Sequence, residues 1–436
     1  MHKNSFFNNH KIRVKNNNLR FLEFTKVWKS TKIGEIADIV GGGTPRTEVE
    51  EYWDGEIKWF TPSEIGKTKY IFDSKRHITD KGLKNSSAKL LPKDTILLSS
   101  RATVGEISIA LTECSTNQGF QSLITKNNVD NDFIYYLIST IKNEFLRKSS
   151  GSTFLEISKN EIKRIPINIP ELSEQNKISN LFSAIDNKIE MLEKKHQYYQ
   201  DFKKYLMQRI FSSQDDKLRF NFNDEWRIMR LNEITFYQEG PGVRNYQYTK
   251  EGVKLLNVGN FVNNALELDN TDKYISNEEA YGKYKHFLVD EGDLLIACSG
   301  IKAEYFDEKI AFAENKHLPL CMNTSTMRFK SLDENTLNLR YLKYYFQTQS
   351  FKKQVFQVMT GSAQFNFGPT HLKYFKIPIP CLDEQIKIYQ MFESIDIKIS
   401  NIYEEIIKVK KFKKGLLQQM FVVQLILSLL QNKKHI

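Results

Sequence analysis

P-E-L-S-E-Q-N-K-I at residues 170–178 returns as P-C-L-D-E-Q-I-K-I at 380–388, and D-F-K-K-Y-L-M-Q-R-I-F at 201–211 returns as K-F-K-K-G-L-L-Q-Q-M-F at 411–421. A constant offset of 210 relates the copies without a gap, pairing Glu174 and Gln175 with Glu384 and Gln385, Asp186 with Asp396, and Phe211 with Phe421. Ile178, Ile185, Leu192, Tyr199 and Leu206 step by seven, as do Ile388, Ile395, Ile402, Val409 and Leu416. A second apolar line lies four residues on, at Phe182, Ile189 and Ile210 in one copy and Phe392, Ile399, Ile406 and Met420 in the other. Such 4-3 spacing over about four heptads, with no Pro and Gly only at 415, predicts two long amphipathic helices whose stripes need another helix to cover them. At 1.5 Å per residue each makes a rod of roughly 60 Å. The simplest arrangement packs one rod on the other. His196, Lys203 and Lys413 interrupt the seam, as polar residues that set register do at some cost in stability.

Working outward, the segments before the two rods also match. L-R-F opens at 19–21 and again at 218–220, followed by Trp28 and Trp226 and by Ile33-Gly-Glu-Ile36 and Leu231-Asn-Glu-Ile234. In the first unit Gly41-Gly-Gly-Thr-Pro45 predicts a tight loop, because glycine tolerates positive φ and proline fixes its own. Short aliphatic runs at 57–60, 94–100 and 106–110 read as strands, matched in the second unit by 252–258 and 293–297, with Asp94 and Asp293 expected at equivalent turns. Helical aromatic segments follow at 133–148 and 339–359. A module from Gly-Ser at 151 or 361 then runs to Pro170 or Pro380, its prolines holding the chain extended before each rod. The order is therefore unit, rod, unit, rod.

The chain has 436 residues, 40% of them hydrophobic and 12% aromatic, enough for two or three packed domains. Its 63 Lys and Arg against 52 Asp and Glu give a net charge of +11, which favours a polyanionic partner. Four widely spaced cysteines with no C-x-x-C indicate neither a zinc ribbon nor a disulfide framework. The first 18 residues, rich in Asn and Lys, read as a disordered leader without the apolar core of a secretory signal. The apolar run at 421–430 is shorter than the about 20 residues a membrane helix needs. Cytoplasm is the default expectation, with no membrane contact.

Catalytic patterns are not met. Gly66-Lys-Thr68 resembles the end of a phosphate loop, but the glycine expected five positions earlier is Thr61. Glu56-Ile-Lys58 has nuclease E-x-K spacing without a Pro-Asp dipeptide, and the eight histidines show no metal-ligand spacing.

The duplicated unit, its I-P-I-P segment, the E-Q-x-K-I helix start and the L-x-Q-x-hydrophobic-F helix end together resemble the specificity subunit of type I restriction-modification enzymes. The likeness covers about residues 19–421 and includes G-G-G-T-P at 41–45 and S-T-N-Q-G-F-Q-S-L at 115–123. It implies an α/β (α+β) fold: two globular target-recognition domains, 19–170 and 218–380, alternating with spacer helices, 171–212 and 381–421, which pair as an antiparallel coiled coil with a pseudo-twofold internal repeat. A linker at 213–217 and a tail at 422–436 complete the expected organisation; the tail extends past the usual family end. The resemblance further implies that each domain reads one half of a split double-stranded DNA target and that the rods set the gap and dock two methylation subunits. Those partners would carry S-adenosylmethionine, while restriction subunits use ATP and Mg, so this chain binds no cofactor itself and is not the enzyme. Candidate DNA contacts are polar residues at matched strand ends: Lys58, Thr61, Ser99, Ser100, Arg101, Asn117 and Gln118 in the first unit, and Ser299, Lys302, Asn323 and Gln364 in the second. Each reads equally well as a turn, cap or surface residue. Trp59, Tyr70, Tyr135 and Tyr136 read as core. The competing interpretation is a coiled-coil protein-interaction scaffold without DNA recognition, whose binding would be insensitive to salt.

Overall fold

The computed structural model describes residues 12–15, 18–151, 155–212, 218–270, 272–301, 303–358 and 365–422. The chain forms two compact units, 1–193 together with 404–436, and 194–403. The long helices are Leu172–Ile210 and Leu382–Leu417, and each begins in one unit and ends in the other.

Both units are built on one plan. In the first, a sheet runs in the order Ala37–Gly41, Gln121–Thr125, Ile96–Leu98, Ile107–Ala110, Tyr70–Ile71, beside a three-stranded sheet of Cys114–Thr116, Trp53–Phe60 and Arg76–Ile78. In the second, Thr235–Glu239, Thr326–Ser331, Leu294–Ala297 and Ile310–Phe312 repeat the first four strands of that order. Val253–Leu255 lies there between Tyr274–Ile275 and Leu320–Cys321, as Trp53–Phe60 lies between Arg76–Ile78 and Cys114–Thr116. The extended proline segments form edge pairs, Pro166–Ile169 on Lys29–Lys32 and Lys376–Ile379 on Arg227–Arg230. An edge strand tolerates proline's missing N–H. Each aromatic helical segment is broken in two, Asn131–Thr140 with Lys142–Arg147 and Leu339–Phe346 with Gln349–Val358.

Within the first unit the start of one long helix packs on the end of the other. Ile178, Phe182, Ile185 and Ile189 share a core with Leu416, Met420 and Phe421. The Phe182 and Phe421 rings lie 5.9 Å apart, Lys413 pairs with Asp186 at 2.5 Å, and Lys410 pairs with Glu193 at 2.6 Å. Residue numbers rise along one helix as they fall along the other, so the pairing is antiparallel. The second unit holds the exchanged set: Leu206, Ile210 and Phe211 share a core with Ile388, Phe392 and Ile395. There Phe211 stacks on Phe392 at 6.2 Å, and Lys203 pairs with Asp396 at 2.7 Å. Exchanging each residue for its counterpart 210 positions away converts one set into the other, as the internal repeat requires. Ile402 is buried, whereas Leu192 and Ile399 are partly exposed.

The residues at the helix starts fasten each domain to its rod. Glu174, 1% exposed in its side chain, accepts two hydrogen bonds at 2.7 Å from Arg20 and one from Trp28 Nε1. Glu384 takes the same place for Arg219 and Trp226. Gln175 accepts from Asp130 N and donates to the Pro170 carbonyl, while Gln385 accepts from Asn338 N and donates to the Pro380 carbonyl. A buried charge is tolerated when it is paired and hydrogen-bonded in this way.

Four expectations are corrected. Part of the supposed leader is ordered: Ile12–Lys15 pairs with Asn18–Phe21 in a hairpin, while residues 1–11, like 213–217 and 423–436, lie outside the described residues. Asp94 and Asp293 are out of step by one residue. Asp94 N bonds Ala110 O with φ +67°, as Gly292 N bonds Ala313 O with φ +85°, so Asp94 corresponds to Gly292 and Thr95 to Asp293. The glycines of 41–43 do not adopt positive φ; they allow close approach, since a Cβ on Gly42 would sit 2.2 Å from Asn117 O. Tyr70 is 42% exposed rather than core, whereas Trp59 and Tyr136 are buried.

Candidate nucleic-acid interface

The polar candidates of the first unit converge because three strands end side by side. Asn117 N donates to Phe60 O, Gly43 N to Thr116 O, and Ser100 N to Gly119 O, so the loops at 43–46, 61–64, 99–103 and 117–119 form one tip. Thr61 N and Oγ1 both donate to Glu64 Oε2, at 2.8 and 2.6 Å, capping a short turn. Asn117 Oδ1 accepts from Gly119 N and so holds the turn that carries Gln118. Ser99 is buried and bonds the Arg101 carbonyl. Ser100 Oγ, also buried, has no hydrogen-bond partner among the described residues. Lys58 is half-buried, its Nζ 5.1 Å from the Phe72 ring centre. Arg101 and Gln118 remain exposed; Thr44 Oγ1 donates to Gln118 Oε1, and Arg101 lies 3.9 Å from Glu156.

The second unit repeats part of this tip in its backbone, although Pro241 stands where Gly43 donates and Asn323 N donates to Thr326 Oγ1. Leu256 N donates to Cys321 O, and Cys298 N donates to Ser325 O. A Cβ on Gly240 would collide with Asn323 O at 2.4 Å, as one on Gly42 would with Asn117 O. Asn257 caps its turn through Asn260, as Thr61 does through Glu64, and Asn323 Nδ2 donates to Asn257 Oδ1 at 2.9 Å. Asn323 is 9% exposed. Ser299 Oγ bonds Asn366 Oδ1, while Lys302 and Gln364 lie outside the described residues.

Sequence reasoning missed several members of these tips. Asn257 and Lys254 are the counterparts of Thr61 and Lys58, and Thr324 is that of Gln118. Exposed Arg46 and Arg244 hold matched places beyond the glycine loops. Strand register reveals these pairs; the intervening insertions and deletions hide them in the letters. Tips of this kind offer exposed guanidinium, amide and hydroxyl groups on fixed backbone, which suits contacts to phosphates and base edges. Among the described residues no group of three or more His, Cys, Asp or Glu could hold a metal, and no helix is long and apolar enough to cross a membrane.

Comparison with known proteins agrees with this architecture. The family described as "Type I restriction modification DNA specificity domain" matches residues 25–198 and 223–411. The MjaIX specificity subunit of a type I restriction enzyme from Methanocaldococcus jannaschii is 29% identical over 414 residues, covering 91% of this chain and 93% of that protein. The MjaVIII specificity subunit of the same organism is 23% identical, covering 89% and 91%. A type I restriction-modification S subunit structure from M. genitalium shares the fold with a TM-score of 0.57 at 17% identity, covering 94% of this chain and 98% of that one. A chain from a structure of type I restriction-modification complex assembly gives 0.59 at 17% identity, covering 91% and 98%.

Proposed function

The chain belongs to the type I restriction-modification DNA specificity family, and from that premise we propose that each of its two domains reads one half of a bipartite duplex target. The observation that carries this reading is the duplication of the strand-end tip, whose Ser100 N and Cys298 N bonds match while the side chains at 101 and 299 and at 118 and 324 differ. A split, non-palindromic target needs two readers of the same build and different side chains. Arg46 and Arg244 supply phosphate contacts that position each domain, and the exposed tip residues face base edges.

In this reading the helix pair fixes the separation of the half-sites, about one turn of B-DNA or roughly 34 Å for sites on one face. It also offers the surface on which two methylation subunits dock, and restriction subunits join that assembly. S-adenosylmethionine, ATP and Mg belong to those partners; this chain supplies the address. The site of action is the cytoplasm.

The test is an exchange of residues 19–170 for the corresponding domain of a relative, followed by mapping of methylated adenines in cells that also express the methylation partner. One half of the methylated motif should change and the other should persist. Change in both halves, or in neither, overturns the two-reader assignment. Binding to the target duplex should also weaken steeply with salt, as contacts to several phosphates require.

A further inference from the structure

We propose that Arg101 with Gln118 in the first domain, and Ser299 with Thr324 in the second, are the specificity-determining positions that make the two readers select different bases. The inference rests on the functional reading above and adds to it which side chains discriminate.

The internal repeat acts as its own comparison structure. Ser100 N reaches Gly119 O at 2.8 Å and Cys298 N reaches Ser325 O at 2.9 Å. Ile157 N reaches Ser100 O at 2.9 Å and Phe367 N reaches Cys298 O at 3.0 Å. The next residue but one turns left-handed in both, Ala102 at φ +64° and Gly300 at φ +74°. The backbone therefore delivers residues 101 and 299 to the same place, and residues 118 and 324 likewise follow the equivalent asparagines 117 and 323.

Thr61, Asn257, Asn117 and Asn323 hydrogen-bond within the tip and hold its shape. Residue 101 against 299 and residue 118 against 324 differ between the domains; Arg101, Gln118 and Thr324 are exposed, and Thr324 Oγ1 donates to its neighbour Asn323 Oδ1 at 3.0 Å. Their chemistry differs in kind. An arginine fork matches guanine O6 and N7, and a glutamine amide matches adenine N6 and N7, whereas serine and threonine hydroxyls serve either base. Thr44 Oγ1 donates to Gln118 Oε1, orienting the amide while leaving its NH₂ group and a second Oε1 lone pair for a base. The Arg101 partner across the tip is Glu156, and that of Ser299 is Asn366, so a charged pair in one reader replaces a neutral pair in the other.

The experiment maps methylated motifs for the full chain with its methylation partner, comparing wild type with Arg101→Ser, Arg101→Lys and Gln118→Thr. Arg101→Ser and Gln118→Thr should each lose roughly tenfold or more selectivity at one base pair. The affected pair should be a G·C for Arg101→Ser and a different A·T pair of the same half-site for Gln118→Thr, with the other half-site unchanged. Lysine also donates to guanine O6 and N7, so Arg101→Lys should keep more of the selectivity than Arg101→Ser, and an unaltered motif with Arg101→Ser means a phosphate contact only and overturns the assignment. An unaltered motif in all three variants overturns it too, as does loss of all methylation with thermal unfolding unchanged. Absence of any bipartite motif in the wild type would instead defeat the functional reading on which the inference rests.

Discussion

Lys413 Nζ lies 2.5 Å from Asp186 Oδ1 within the first unit, and Tyr136 OH donates to the other oxygen of the same carboxylate at 2.7 Å. The second unit contains the exchanged counterpart, Lys203 to Asp396 with Tyr344 as the donor. What reads as an interruption of the apolar seam is thus its polar lock. A charge in this partly covered seam is tolerable because it has a partner, so removing one member should cost more than removing both. Asp186→Ala should lower unfolding free energy by about 1–3 kcal/mol. Asp186→Leu combined with Lys413→Leu should cost less than the sum of the single changes. A double-mutant cycle from urea unfolding checks this, and strict additivity would count against a coupled pair.

The long helices were legible in the letters because heptad spacing depends only on side-chain type and survives without gaps between the copies. Lys203, Lys413 and the Glu-Gln pairs also carried signal, although only coordinates reveal what they bind. The strand-end tips were much less legible. Their equivalence is set by strand register, which aligns Ile96 with Leu294 and so puts Asp94 opposite Gly292 rather than Asp293. Caps, turns and base readers draw on the same polar residue types, so the letters of Thr61, Asn117 and Asn323 did not reveal the hydrogen bonds they make within the tips.

Glu174 holds Arg20 and Trp28 from a nearly fully buried position. Glu174→Gln keeps the shape but removes the charge that the Arg20 guanidinium faces. It should destabilise the first unit by about 2–4 kcal/mol, toward the range for breaking one side of a buried pair. Glu384→Gln should do the same to the second unit through Arg219 and Trp226. Tryptophan fluorescence during urea titration reports on both sites, and a midpoint shift no larger than that of an exposed Glu404→Gln control would refute the latch.

Ala102 occupies a left-handed conformation at φ +64° where its counterpart is Gly300. A Cβ in that region costs roughly 1–2 kcal/mol, partly offset by the greater freedom of glycine in the unfolded chain. Ala102→Gly should therefore stabilise by about 0.5 kcal/mol. The reverse change, Gly300→Ala, should destabilise by a similar amount, because a methyl group there meets open space and only the backbone term remains. Paired chemical denaturation curves decide it; effects of the same sign in the two variants would contradict the matched geometry.

Alkaline pH should weaken the fold through the seam tyrosines. Burial first, and then Asp186 beside Tyr136 and Asp396 beside Tyr344, raise both phenols above their ordinary value of 10.0. As pH passes about 10 the unfolded chain releases these protons while the folded chain keeps them. The folded state then binds more protons, so this contribution is complete below about pH 10 and is lost as pH rises toward the folded values. Lys69 and Lys343 act in the opposite sense, because burial lowers both from 10.5 and stability recovers as their burdened charges are shed. Substitution separates the two effects. Tyr136→Phe with Tyr344→Phe should flatten the fall in urea midpoint between about pH 9 and pH 11 relative to wild type. An equally steep fall in the double variant would place the alkaline sensitivity outside the helix seam.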